Sequence, residues 1–230
     1  MTFRHATELW NEHPELVAGV LHVEGIGAAA DVSAHVERLS EVARARLASA
    51  TEGSFPEVQA WRRAFSRMGL KPTQYRSASE ALLRRFRTDG ALPRIHPLVD
   101  LCNATSLAFA IPVAVIDLDQ VTGDLQVRHA TGDETSLSFR GDAEHPEPGE
   151  VIFADDGRHA HARRWSHRQS GASAVQDGTT RVLIVAEAMH DSARIDVESL
   201  LSELVAAIQD AWAARPRTAL LTGPDERFEA

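Results

Sequence analysis

The sequence predicts an α/β (α+β) fold: a single domain with a central mixed or antiparallel sheet flanked by helices. Three observations carry that expectation. Segments with apolar residues at helical spacing dominate residues 31–109, short Val- and Ile-rich runs broken by turn residues fill 113–188, and a last amphipathic segment follows. With 230 residues, 43% hydrophobic and 25% charged, the chain can bury one sizeable core, and no linker or internal repeat divides it.

The elements follow in order. "LVAGVLHVEGI", from Leu16, is a Val-rich apolar run closed by Gly25 and Gly27, as a buried strand entering a turn would be. From Asp31, Val32, Val36, Leu39, Ala43 and Leu47 recur at helical spacing, with Asp31 or Ser33 as the cap. "PEVQAWRRAFSRMGL" aligns Val58, Trp61, Phe65 and Met68, and Gly69 and Pro72 stop it. "SASEALLRRFRTDG" opens on a capping box, Ser77 to Glu80, and ends at Gly90; "LVDLCNATSLAFA" is again helical in pattern. The runs "VAVIDLD", "LQVRHA", "TSLSF", "EVIFAD", "HARRW" and "TRVLIVAEA", separated by "TGD", "DDGR" and "QDGTT", then read as strands. "DVESLLSELVAAIQDAWAA" closes the fold, and residues 216–230 are expected to be a loose tail.

Composition narrows the function. The longest apolar stretch, "SLAFAIPVAVI", is too short to span a bilayer and is divided by Pro112, and "MTFRHATELWNEH" lacks the pattern of a secretory signal. A single cysteine, Cys102, allows no internal disulfide, so a cytoplasmic setting is expected; as a thiol it reads as either a nucleophile or an inert core residue. At net charge −9, with Lys71 the only lysine, a nucleic-acid partner needs a local arginine patch. Neither a G-x-S-x-G elbow nor a G-x-x-x-x-G-K phosphate loop is present. The stretch "HARRWSHRQS" stays open. His159, His161 and His167 with Asp155 and Asp156 have a spacing that could ligate zinc or iron, whereas Trp165 among Arg163, Arg164 and Arg168 suits base stacking or, equally, a core tryptophan whose neighbours face water.

"YRSASEALLRR", "LPRIHPLVDLCNATSLAFAIPVAVIDLDQVTGDLQVRHATGDE", "PGEVIFADD", "ARRWSHRQS" and "VLIVAEA" together resemble the B3/B4 module of the beta chain of phenylalanyl-tRNA synthetase, over residues 60–190. On that resemblance residues 1–215 form one B3/B4-like domain, with a strand-helix extension at 1–55 and a closing helix at 196–214. It implies a free-standing protein that hydrolyses the ester of misacylated tRNA in trans, binding the aminoacylated acceptor end, with neither cofactor nor metal and without DNA or a membrane as partner. Asn103 matches an asparagine of the editing pocket and would orient water or carbonyl. Glu187 lies near a pocket glutamate and would read the amino acid, and Ala114 replaces a pocket histidine. Arg163, Arg164, Trp165 and Gln169 would receive the acceptor end. Two alternatives remain, a tRNA- or RNA-binding module without catalysis and a histidine-ligated metal enzyme; read bare, Glu187 could end its strand in water and Asn103 could cap a turn.

Overall fold

The computed structural model describes residues 1–230. Along the chain lie β1 (Thr2–His5), α1 (Thr7–Glu12), β2 (Val17–Glu24), α2 (Ser33–Ser49), α3 (Pro56–Arg67), α4 (Ala78–Asp89) and α5 (Pro97–Phe109). The strand-rich part holds β3 (Val113–Asp117), β4 (Leu125–His129), β5 (Ser136–Leu137), β6 (Ala143–Glu144), β7 (Val151–Asp155), β8 (Ala160–Arg163), β9 (Arg168–Gln169) and β10 (Arg181–Ala188). α6 (Ala193–Trp212), β11 (Arg217–Leu221) and β12 (Phe228–Glu229) end the chain.

The helix boundaries follow local chemistry. Asp31 accepts the Ser33 N–H ahead of α2, Ser77 accepts the Glu80 N–H at the start of α4, and Gly90 ends α4 in the left-handed conformation, φ 77°. Proline opens α3 and α5, where a missing N–H costs nothing.

The α/β (α+β) class is as expected, but two principal sheets replace the one central sheet. One has the order β12-β1-β4-β7-β8-β9, the other β11-β2-β10-β3, and β5 and β6 form a separate hairpin. Only β1 and β4 pair in parallel. Side-chain alternation along β10 shows how the layers stack. Leu183 and Val185 enter a core shared with Phe3, Leu125, Val127 and Phe153 of the larger sheet, while Val182, Ile184 and Ala186 face a second core built with α5 and α6. The layers are therefore large sheet, small sheet, helices. Each such buried side chain stabilises the fold by about 1.5–3 kcal/mol. α3 closes one side of the inter-sheet layer with Trp61 and Phe65.

The expected loose tail is a correction. β11 pairs antiparallel with β2 from Arg217↔His22 to Leu221↔Ala18, and β12 pairs with β1. Both strands cover sheet edges whose N–H and C=O groups would otherwise lie unpaired, a reason invisible within the tail's own residues.

Candidate active site

Glu187 shares the parity of Leu183 and Val185, so its side chain points into the layer between the sheets; it is 3% exposed. A buried carboxylate needs donors. His5 from β1 places Nε2 2.6 Å from Glu187 Oε1, and the Trp165 Nε1–H donates to the same oxygen at 2.9 Å. His5 Nδ1 is buried without a partner, so the ring proton belongs on Nε2, facing the carboxylate. The Trp61 Nε1–H donates to the Glu187 carbonyl at 3.2 Å. Oε1 is thus held from the larger sheet, whereas Oε2 hydrogen-bonds to no group of the chain.

Trp165 reaches this position at a backbone cost. It and Arg164 both have positive φ, 58° and 47°, each worth about 1–2 kcal/mol for a residue with a side chain. The Trp165 N–H donates to the Val151 carbonyl at 2.7 Å, and the indole packs edge-on to Trp61 and His13. Full burial of the ring offsets the strain.

A cavity of about 400 Å³, counting its open mouth, lies against Glu187. Val113, Ala114, Phe153 and Val185 make its apolar wall, and Ser166, His167 and Gln169 supply polar groups. His167 Nδ1 lies 2.7 Å from the Arg76 carbonyl, so Nδ1 carries the proton and Nε2 is left as an acceptor. Burial, aided by the Arg164 and Arg168 charges, holds the imidazole below its usual value despite the Arg76 carbonyl and Glu150, which act the other way. The Ser166 hydroxyl is buried without a partner. An apolar slot with one anchored carboxylate and one neutral imidazole can bind an ammonium group and move a proton.

Residues 60–205 match the family model described as the B3/4 domain. The chain belongs to the B3/4 domain family. Its fold is similar to that of an N-terminal fragment of the phenylalanyl-tRNA synthetase beta-subunit from Pyrococcus horikoshii, with a TM-score of 0.50 and 10% identity over 94% of this chain. The chain spans 50% of the length of that fragment. A comparison with curated proteins finds no match. The matched span of this B3/4 domain contains Trp165, His167 and Glu187 but not His5, so a segment outside it completes the site.

Several expected site residues fall elsewhere. Ala114, Trp165, Gln169 and Glu187 line the same cavity; Asn103 does not. Asn103 lies in a separate depression with Ser40, Arg44 and Arg94, because α5 turns its Cys102 and Leu98 side to the small sheet and its Asn103 side to α2 and α4. Arg163 is committed: Nε and Nη2 donate to the two Glu150 oxygens at 2.7 and 2.8 Å, and Nη1 donates to Glu144 at 3.0 Å. At 6% exposure it is not a phosphate contact on the surface. Arg164 lies over the Tyr75 ring, 4.8 Å from its centroid, outside the cavity. Trp165 offers no face to a base, being fully buried. Gln169 donates from Nε2 to the Val115 carbonyl at 2.6 Å, which leaves its carbonyl oxygen as the free end.

The histidine-metal arrangement also dissolves. His159 and His161 both approach Asp155, at 3.1 and 3.3 Å, while His167 faces the Arg76 carbonyl instead. Burial alone would push the Asp155 carboxyl up, but donors from His161, His159 and Thr122 hold it well below the usual carboxylate range. The three residues whose ligand atoms do converge, within 4.8 Å of one another, are Glu57, His190 and Asp196, and there the Arg46 guanidinium already pairs with Glu57 at 2.7 Å. Cys102 is buried, and burial pushes its thiol up, so it is the inert core residue and not a nucleophile. His5 and Trp61 carry no sequence signal beyond Phe3 and His5 alternating on a short strand and Trp61 lying on an apolar helix face.

Proposed function

We propose that this protein is a tRNA-directed module that hydrolyses the ester of misacylated tRNA in trans, with the aminoacyl group held in the Glu187 cavity. One observation carries the reading: Glu187 is buried, held by two donors on Oε1, and free at Oε2 beside a largely apolar slot with an open mouth. A carboxylate so placed suits the ammonium group of an aminoacyl ester, since the fixed orientation costs no rearrangement on binding. Ala114, on β3 beside Val185 of β10, leaves the wall next to Glu187 small and apolar, which favours an uncharged side chain. Family membership and the fold shared with a synthetase beta-subunit fragment support a tRNA-related role. The stacking expected of Trp165 passes to Phe139, 71% exposed on the β5–β6 hairpin, which docks on Ser170 next to Gln169.

A second reading, tRNA binding without turnover, is favoured by the placement of Asn103 outside the cavity. Release of labelled amino acid from a panel of misacylated tRNAs separates the two. Deacylation by the intact protein that falls with Glu187→Gln is the expected result; retention of tRNA on the protein with every ester intact would leave only the binding reading.

A further inference from the structure

Within the cavity one group is prepared to accept a proton. His167 sits in the turn after Trp165, half-buried, with its ring fixed on two sides. The Nδ1–H donates to the Arg76 carbonyl, and Tyr75 packs edge-on at 5.3 Å between ring centroids. These contacts set both tautomer and orientation and leave the Nε2 lone pair as the free end of a cavity-lining side chain. One other fixed group of the cavity has a free basic atom, Glu187 at Oε2, and in the reading above that oxygen takes the substrate's ammonium group; Gln169 and Ser166 are not bases near neutral pH, so His167 is the base left for the water.

We propose that His167 is the general base of this cavity, taking a proton through Nε2 from the water that attacks the aminoacyl ester. The proposal rests on the deacylase reading given above. The water oxygen bonds to the carbonyl carbon as its proton passes to Nε2. The tetrahedral adduct then breaks its bond to the ribose oxygen, which takes the proton back from the imidazolium, so free amino acid and tRNA hydroxyl form with the base regenerated. The groups around the ring are Arg164 and Arg168 of the same turn, Glu150 ahead of β7, and Tyr75 and the Arg76 carbonyl ahead of α4, while Glu187 of β10 lines the same cavity. Burial, with the two arginines adding to it, favours the neutral ring, which is the form a base needs near neutral pH.

The experiment is single-turnover deacylation by the full chain, on a panel of misacylated tRNAs, between about pH 5 and pH 8. The wild-type rate should rise with pH and level off below the ordinary imidazole value of 6.5. His167→Gln should lower the rate by roughly 10²–10⁴-fold and remove the pH dependence, while Glu187→Gln weakens substrate binding and keeps it. Added imidazole should partly restore His167→Gly, a response that a merely structural role would not give. Wild-type turnover with an unchanged rate and profile in His167→Gln overturns the proposal and leaves the deacylase reading standing. Absence of wild-type turnover on every ester overturns both. Thermal melts check that the variants fold; if neither does, a wild-type rate flat across the range overturns the proposal.

Discussion

Trp165→Phe tests the architecture of the Glu187 pocket most directly. The substitution keeps an aromatic ring on the strained turn and deletes the donor that lies 2.9 Å from Glu187 Oε1. A hydrogen bond to a buried carboxylate is worth about 1.5–3 kcal/mol, because the acceptor loses a charge-assisted partner and cannot recover water. The smaller ring also leaves a void against Trp61 and His13, whose centroids lie 5.2 and 5.0 Å from the indole, for about 1 kcal/mol more. The sum is about 2.5–4 kcal/mol, or a melting point lower by about 5–16 °C for a chain of this length. Urea unfolding of the wild type, Trp165→Phe, Glu187→Ala and the double variant measures it. The carboxylate-dependent part should appear as a coupling energy of about 1.5–3 kcal/mol, with the m-value unchanged. A coupling under about 0.5 kcal/mol would refute the view that the indole holds the carboxylate, even if Trp165→Phe is destabilising by packing alone.

Other outcomes follow from the same contacts. Burial pushes Glu134 up, but the Thr131 and Gly132 N–H groups and Arg128 outweigh it and hold its carboxyl at about 2 against an ordinary 4.5. Because the folded value is the lower one, its contribution is complete above about pH 4.5 and is lost as pH falls toward 2; Glu134→Gln should flatten the stability–pH curve in that window. Gly19→Ala should cost about 1–3 kcal/mol, since its Cβ would lie 2.5 Å from Val197 Cγ1 and force β2 and α6 apart; a melting point equal to wild type would contradict the packing. Cys102 should react with a thiol reagent only at the rate of unfolding, so labelling of native protein at the rate of a free thiol would count against its burial. Phe139→Ala should leave the unfolding free energy within about 0.5 kcal/mol of wild type while weakening binding of tRNA, a separation that fails if Phe139 packs internally.

Much of the fold is legible locally because local rules make it. The Ser77 cap and Gly90 each act within a few residues, and α4 starts and stops where they indicate, while α5 covers the segment of helical pattern with a proline at its head. β1 and α1 were not legible: four and six residues give too little periodicity, and their stability comes from Phe3, Leu9 and Trp10 entering the distant inter-sheet core. The tail is the same case, since β11 and β12 exist only as partners of β2 and β1. In the site, Glu187 and Ala114 were read from the resemblance and line one cavity from neighbouring strands, β10 and β3. Asn103 was assigned to it as well, but the face of α5 on which it lies is set by what α5 packs against and not by its neighbours in sequence.

The sequence by itself determined the class of the fold, the family, most helix limits and the strand that carries Glu187. These rest on capping, periodicity and turn chemistry, all of which act over a few residues. Tertiary structure alone decided what "HARRWSHRQS" does. Arg163 turned to Glu150 and Glu144, His161 to Asp155, His167 to the Arg76 carbonyl, and Trp165 turned inward to a carboxylate whose other holder, His5, lies 182 residues away along the chain. The reason is desolvation: burying a charge or N–H without a partner is costly, so most take one wherever the fold brings it, and that choice is made by sheets meeting in space.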